Sequence, residues 1–256
     1  MSLFAAENLE LRFGGVHAVQ DVSFAVEAGE VFSIIGPNGA GKTTIFNLIS
    51  RFYDLDRGRL RLDGEDISKL PPHRVAESGI ARTFQNTELF EHESVLQNLL
   101  IGCHVNRRTG LLAELLYLPR VRRQELTFRD TVEGVIDLLD LQAYRYQRVG
   151  SLSYGVRKMV EVARALCMRP RLLLLDEPAS GLNPEETEDL AFWIEDISED
   201  LGVTIIMVEH DMNLVSRVSN RVLALAEGRA IATGEPVDIQ THPAVLQAYL
   251  GEPETV

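Results

Sequence analysis

Apolar and polar side chains alternate along residues 3–13 and again along 18–26, with aromatic and β-branched residues among the apolar positions. This predicts two strands that each turn one face to a core. Glu27-Ala28-Gly29 reads as a turn. Residues 31–35 form a short apolar run that ends at Gly36, and residues 42–51 then show helical spacing at Ile45, Leu48 and Ile49. Residues 59–62 read as another strand closed by the turn signal Asp63-Gly64. Pro71 and Pro72 open a short helix, since proline in a first helical turn lacks only an N–H that has no helical partner.

Residues 80–84 read as a strand leading into Gln85. From about 94 to 141 the period becomes helical, with apolar residues at Val95, Leu99 and Leu100 and again at Val132, Val135, Ile136 and Leu139. Between those stretches, residues 107–123 are rich in Arg and Leu, with a proline at 119. Beyond them come a buried strand at 171–175, a helix at 185–201, a strand at 203–208 and a helix at 212–218. Two strands at 221–226 and 230–233 then close around Glu227-Gly228, and 252–256 read as a frayed tail. Strands alternating with helices predict an α/β fold with a largely parallel sheet. The expected division is an α/β core of residues 1–90 and 168–256, interrupted by a helical subdomain of residues 91–167.

Composition narrows the functions open to such a fold. The chain has 256 residues, 45% of them hydrophobic, enough for a sizeable core. No window approaches the roughly 18 consecutive apolar residues of a membrane-spanning helix. Residues 1–8 lack a basic segment followed by an apolar run, so a cytosolic protein is expected. Cys103 and Cys167 are too few and too scattered for a disulfide framework or a metal site. A net charge of −13 argues against a nucleic-acid partner. Lysine occurs only as Lys42, Lys69 and Lys158. The first of these falls in a glycine-rich loop.

That loop, Gly36-Pro37-Asn38-Gly39-Ala40-Gly41-Lys42-Thr43-Thr44, fits G-x-x-x-x-G-K-[ST] and lies between a predicted strand and a predicted helix, the context the motif requires. Its glycines allow close backbone approach. Lys42 offers a point charge to the β- and γ-phosphates of a nucleoside triphosphate, Thr43 a hydroxyl to Mg²⁺, and the helix start its unpaired N–H groups. A glycine-rich turn alone would be structural, and Lys-Thr at this spacing is what distinguishes it. Downstream, the apolar strand 172–175 ends in Asp176-Glu177, where ligands of a parallel sheet sit. Asp176 is placed to hold Mg²⁺ and Glu177 to polarise an attacking water.

With these residues in view, the sequence resembles the ATP-binding subunits of ABC transporters over residues 3–251. The specific part is Leu152-Ser153-Tyr154-Gly155-Val156, similar to that family's Leu-Ser-Gly-Gly-Gln signature but departing from it at Tyr154 and Val156. The resemblance implies a P-loop NTPase fold with a mostly parallel core sheet, an N-terminal antiparallel β subdomain and an inserted α-helical subdomain. It implies two ATP molecules with Mg²⁺ held in a head-to-tail dimer, with Ser153, Tyr154 and Gly155 acting on the nucleotide of the opposite subunit. Ser153 at a helix start is equally read as a cap. By the same resemblance Phe13, with Val19 beside it, stacks on adenine, although a core role suits Phe13 as well. Gln85 touches Mg²⁺ and the attacking water. Ser180-Gly181-Leu182-Asn183 reaches across the dimer, and His210 meets the γ-phosphate.

Further segments resemble the branched-chain (hydrophobic) amino-acid uptake ATPases. They are Gly79 to Asn86, Pro178 to Pro184, Glu209-His210-Asp211-Met212, the ending Ala248 to Glu252, and the Arg-rich insertion. The implied partners are transmembrane permease subunits, docking near residues 85–93, and a second ATPase subunit, identical or paralogous. A periplasmic substrate-binding protein follows indirectly. The implied place is the cytoplasmic side of the inner membrane. The alternatives are uptake of urea, amides or aromatic acids, lipopolysaccharide-type export, or a soluble ABC ATPase. A module that binds ATP without hydrolysing it is disfavoured by the presence of both Glu177 and His210.

Overall fold

A computed structural model describes residues 2–84, 88–110, 115 and 118–250. Its strands in chain order are β1 (Ser2–Phe13), β2 (Val16–Glu27), β3 (Val31–Ile35), β4 (Arg57–Leu62), β5 (Glu65–Asp66), β6 (Ile80–Arg82), β7 (Leu172–Asp176), β8 (Thr204–Val208), β9 (Arg221–Ala226) and β10 (Arg229–Gly234). Its α-helices are α1 (Lys42–Ile49), α2 (Pro72–Glu77), α3 (Val95–Gly102), α4 (Pro119–Leu138), α5 (Tyr154–Leu166), α6 (Pro184–Glu199), α7 (Met212–Val218), α8 (Pro236–Thr241) and α9 (Pro243–Leu250). The chain divides into two compact units, one made of residues up to Arg82 together with those from Arg171 on, the other of Thr83–Pro170.

The first unit holds both sheets. One is antiparallel, in the order β2-β1-β4-β5; the other runs β10-β9-β3-β8-β7-β6, parallel except for the β9–β10 hairpin. Strands β3, β7 and β8 are buried along their whole length, which is why they read as predominantly apolar runs and not as alternation. Alternate residues on one face, Phe32, Ile34, Leu172, Leu174, Ile206, Val208, Leu223 and Leu225, share a core with Ile45, Phe46 and Leu48 of α1 and with Phe4, Leu9, Val22 and Phe24 of the antiparallel sheet. Phe24 and Phe32 stack across that core with ring centroids 5.4 Å apart. α1 is thereby clamped on its apolar side, so the loop that enters it is fixed at the other end.

The second unit is helical. α3 starts with a reciprocal cap in which Ser94 Oγ accepts the Gln97 N–H while Gln97 Oε1 accepts the Ser94 N–H. Pro119 opens α4 within the Arg-rich insertion, of which residues 111–114 and 116–117 lie outside the described residues. Val132, Val135 and Ile136 form the buried stripe of α4. Gly102 marks where α3 meets α5, for a Cβ there would lie 2.2 Å from the Arg164 carbonyl oxygen.

Two sequence expectations are corrected. The strand predicted over 80–84 stops at Arg82, because the Phe84 N–H donates to Glu161 Oε1 (2.9 Å) and not to a neighbouring strand. Beyond β10, where no element was expected, α8 and α9 form. The former starts on Pro236, with its missing N–H in the first turn. Residues 252–256 lie outside the described residues. Among the described residues no helix is long and apolar enough to cross a membrane.

The Gly102 contact generates a test. Gly102→Ala must push α3 off the backbone of α5, and is expected to lower unfolding free energy in urea by about 1–3 kcal/mol or more. Gly134→Ala, on α4 with nothing within 4 Å of the added methyl, is expected to be neutral or stabilising.

Candidate nucleotide site

Three parallel strands bring the parts of the site to one end of the sheet. β3 ends at Ile35, β7 at Asp176 and β8 at Val208, and the pairings Ile34 with Val208 and Asp176 with Val208 set these carboxyl ends level. Gly36 leaves β3 at φ +150°, where a Cβ would lie 2.2 Å from the Leu225 carbonyl oxygen. Gly41, the left-handed N-cap of α1 at φ +100°, has the same constraint against the Ala18 carbonyl oxygen at 2.6 Å. No side chain caps α1, and the first-turn N–H groups of a helix without such a cap suit an anion as acceptor. The loop curls around Lys42, whose buried Nζ donates to the carbonyls of Gly36 (2.6 Å) and Pro37 (3.0 Å).

A cavity of about 580 Å³ opens over this loop. Asn38, Gly39, Ala40, Gly41, Lys42, Thr43 and Thr44 line it, as does Glu177. Glu177 stands at φ +48°, a left-handed turn costing a non-glycine residue about 1–2 kcal/mol, and the turn takes its side chain out of the alternation of β7 and into the cavity. Asp176, one residue earlier, is buried, and its Oδ2 accepts from Arg82 Nη2 at 2.7 Å.

These residues fit a nucleoside triphosphate. Uncapped helix N–H groups, a buried ammonium and glycines that no side chain could replace suit close approach of phosphate oxygens. They also fit Mg²⁺. Among the described residues no cluster of three or more His, Cys, Asp or Glu exists to cage a metal, and the cavity lining offers the Thr43 hydroxyl and the Glu177 carboxylate, with Asp176 one residue earlier at the end of β7. Such sparse ligation suits an ion that keeps several waters and takes phosphate oxygens.

The cavity's other wall consists of Val16, His17, Ala18, Gln20 and Glu227, none of which belongs to a motif. Backbone contacts place them: the Gln20 N–H donates to the Gly228 carbonyl (2.7 Å), and the Gly228 N–H to the Ala40 carbonyl (3.1 Å). Glu227-Gly228 is legible in sequence as a two-residue turn; its docking on the loop is not. Phe13 and Val19 do not line the cavity. Phe13 is 47% exposed at the end of β1, its ring edge-on to Tyr53 at 5.1 Å, whereas Val19 is buried in the core.

His210 follows β8 with its side chain 62% exposed, and its Nδ1 lies 3.7 Å from Glu209 Oε2. Sequence reading gave Glu209 no role of its own. It is fully buried and accepts backbone N–H groups from Ala179 (2.8 Å), His210 (2.9 Å) and Asp211 (3.3 Å). It therefore ties the loop after β7 to the loop after β8. The first of these loops continues through Ser180, Gly181 and Leu182 to Asn183, which caps α6 reciprocally with Glu186. Gln85 lies outside the described residues.

In the helical unit Ser153 is the N-cap of α5, its Oγ accepting the Val156 N–H at 3.4 Å. Ser153 and Tyr154 are exposed and Gly155 is buried. Lys158 Nζ lies 5.9 Å from the centre of the Tyr154 ring. One turn further, buried Glu161 accepts the Phe84 N–H, and its pKa is pushed up, mainly by desolvation.

Fold and loop together define a P-loop nucleotide-binding chain. The ABC transporter profile matches residues 19–180, and the chain belongs to that family as an ATP-binding subunit. A second profile, that of the branched-chain amino acid ATP-binding cassette transporter, matches residues 231–255. The high-affinity branched-chain amino acid transport ATP-binding protein BraF of Pseudomonas aeruginosa is 42% identical over 250 residues, covering 98% of each chain. Its counterpart LivG of Escherichia coli is 38% identical over the same length and coverage. The crystal structure of the ADP conformation of MJ1267, an ATP-binding cassette of an ABC transporter, superposes with a TM-score of 0.86 at 31% identity, covering 98% of this chain and 100% of that one. The family and fold class expected from sequence are thus borne out.

Two measurements test this arrangement. Glu209→Ala leaves three backbone N–H groups without their acceptor, and is expected to cost at least about 2 kcal/mol in denaturant unfolding. For Glu161, the raised pKa means that the folded chain binds a proton which the unfolded chain releases at the ordinary value of 4.5. The stability it contributes is present in acid and lost as pH rises. The melting temperature of the parent chain minus that of Glu161→Gln is therefore expected to increase as pH falls from about 8 toward about 5.

Proposed function

We propose that this chain hydrolyses ATP to drive an ABC importer of branched-chain or other hydrophobic amino acids. The observation that carries the reading is a Lys42-Thr43 phosphate loop and Glu177 facing one cavity, in a chain that matches amino-acid transport ATPases from end to end. Lys42 and the first-turn N–H groups of α1 neutralise and hold the β- and γ-phosphates. Mg²⁺, when bound by Thr43, Asp176 and Gln85, supplies positive charge to the phosphate oxygens. Glu177 and Gln85 orient a water in line with the γ-phosphorus, and His210 donates to the γ-phosphate oxygens. Positioning and charge carry the rate, since phosphoryl transfer to water asks little covalent chemistry of the protein.

Two chains pair head to tail, so that Ser153, Tyr154 and Gly155 of one act on the nucleotide over the other's loop, with Ser180–Asn183 crossing between them. Phe13 stacks on the adenine. The pair, of identical or paralogous subunits, works on the cytoplasmic face of the membrane against permease subunits, which receive their amino acid from a periplasmic binding protein. The acidic chain takes no nucleic-acid partner.

Glu177→Gln is expected to reduce hydrolysis by about 10²-fold or more while ATP binding persists, and to accumulate an ATP-dependent dimer on size exclusion. Hydrolysis at the parent rate, or a monomer at saturating ATP, removes the role given to Glu177. Two polytopic permeases and a related ATPase are expected to co-purify with the chain; cytosolic assembly factors in their place overturn the transport reading.

A further inference from the structure

Arg82 belongs to none of the motifs by which the nucleotide site is recognised, yet parts of that site converge on it. It ends β6, three residues before Gln85. Its side chain is 8% exposed, against 3% for that of Asp176. Nη2 donates to Asp176 Oδ2 at 2.7 Å. Nη1 donates to Asn47 Oδ1 at 2.7 Å and to Ser50 Oγ at 3.2 Å, within and just beyond α1. The rings of Phe46 and Phe52 lie 5.6 and 5.9 Å from the guanidinium carbon.

Each contact uses a property peculiar to arginine. The planar fork presents donors in two directions at once, so one side chain spans β7 and α1; a lysine ammonium is a point charge on a flexible stem. The aromatic rings accept a weakly hydrated cation. Burial makes the arrangement consequential, because an ionised carboxylate removed from water needs a partner of opposite charge. With Oδ2 held, the Asp176 carboxylate is presented in one orientation. α1, to which the same guanidinium is bonded, carries Thr43 in its first turn. Two of the three proposed Mg²⁺ ligands, Thr43 and Asp176, are therefore referenced to each other through Arg82.

We infer that Arg82 is a positioning residue for the divalent cation: it fixes the Asp176 carboxylate against α1 and so sets the affinity for the Mg²⁺ that accompanies the nucleotide. The inference rests on the reading of Asp176 as a cation ligand. A merely structural ion pair would support the fold without tuning that affinity.

The test uses the full chain carrying Arg82→Met or Arg82→Lys. A fluorescent ATP analogue is titrated in EDTA and then at rising Mg²⁺, and thermal midpoints are measured without nucleotide. Half-saturating Mg²⁺ is expected to rise about ten- to a hundredfold in Arg82→Met. A smaller rise is expected in Arg82→Lys, which keeps the charge without the fork. Affinity in EDTA is expected to stay within about twofold, since Asn47, Ser50 and Asp176, to which Arg82 donates, all lie outside the phosphate loop. Unchanged or lower half-saturating Mg²⁺ in the folded variants overturns the inference, whatever the thermal midpoint does. Should Arg82→Met not fold, Arg82→Lys and Asn47→Leu decide it; the latter removes the α1 anchor, leaves the Asp176 bond, and is expected to raise half-saturating Mg²⁺ as well. Asp176→Asn separates the premise from the inference. If that change leaves the Mg²⁺ titration of the parent chain unaltered, the ligand reading fails and this inference with it; if it shifts the titration while the Arg82 variants do not, the inference alone fails.

Discussion

Backbone pressed against backbone around the phosphate loop is the constraint from which the rest of the site follows. A Cβ at Gly36 would lie 2.2 Å from the Leu225 oxygen, and at Gly41 and Gly228 it would lie 2.6 and 2.8 Å from the same Ala18 oxygen. The loop is held between β9 on one side and β2 on the other, with the β9–β10 turn closing the gap. Because peptide units, unlike long side chains, cannot yield cheaply, the loop's curvature is set before any ligand arrives. The antiparallel sheet thus serves the site directly. Its strand β2 supplies both the oxygen that shapes the loop and the residues Val16, His17, Ala18 and Gln20 that wall the cavity.

Buried charges then link segments that the backbone alone would leave independent. Glu209 gathers the loops after β7 and β8, Arg82 joins β7 to α1, and in the helical unit Glu161 fastens residue 84 to α5. Removing one partner of such a contact costs more than the contact's net worth, since the other is left desolvated and unmatched. All three lie at segments that flank phosphate, cation or water in the proposed mechanism.

What could be read from sequence was local. Residues 31–35 and 171–175 announce themselves as strands because burial on both faces imposes a mostly apolar run in place of alternation, and Gly36 to Thr44 announces a phosphate loop because its chemistry demands those residue types in that order. Asp176 and Glu177 are legible for the same reason. Arg82, Glu209 and the wall from Val16 to Gln20 are not, since their importance arises from strand register and from segments far away in the chain. α8 and α9 were not expected, although Pro236 and Pro243 stand in their first turns as Pro72 does in that of α2. The strand predicted to reach residue 84 was overextended, for the backbone N–H of Phe84 donates to Glu161 Oε1, a bond that no local pattern encodes.

Ser153 illustrates how a residue with two competing sequence readings can satisfy both. As N-cap it uses its oxygen to accept the Val156 N–H, at a long 3.4 Å. A phosphate contact would use the other half of the hydroxyl, the O–H as donor, and a hydroxyl can donate and accept at once. Capping therefore holds the side chain at the start of α5, where unpaired N–H groups and the helix dipole favour an anion, without consuming the donor an anion needs. Tyr154 sits beside it on the surface, with the Lys158 ammonium near its ring. The departure from glycine at that position adds an aromatic face next to a serine that still caps the helix.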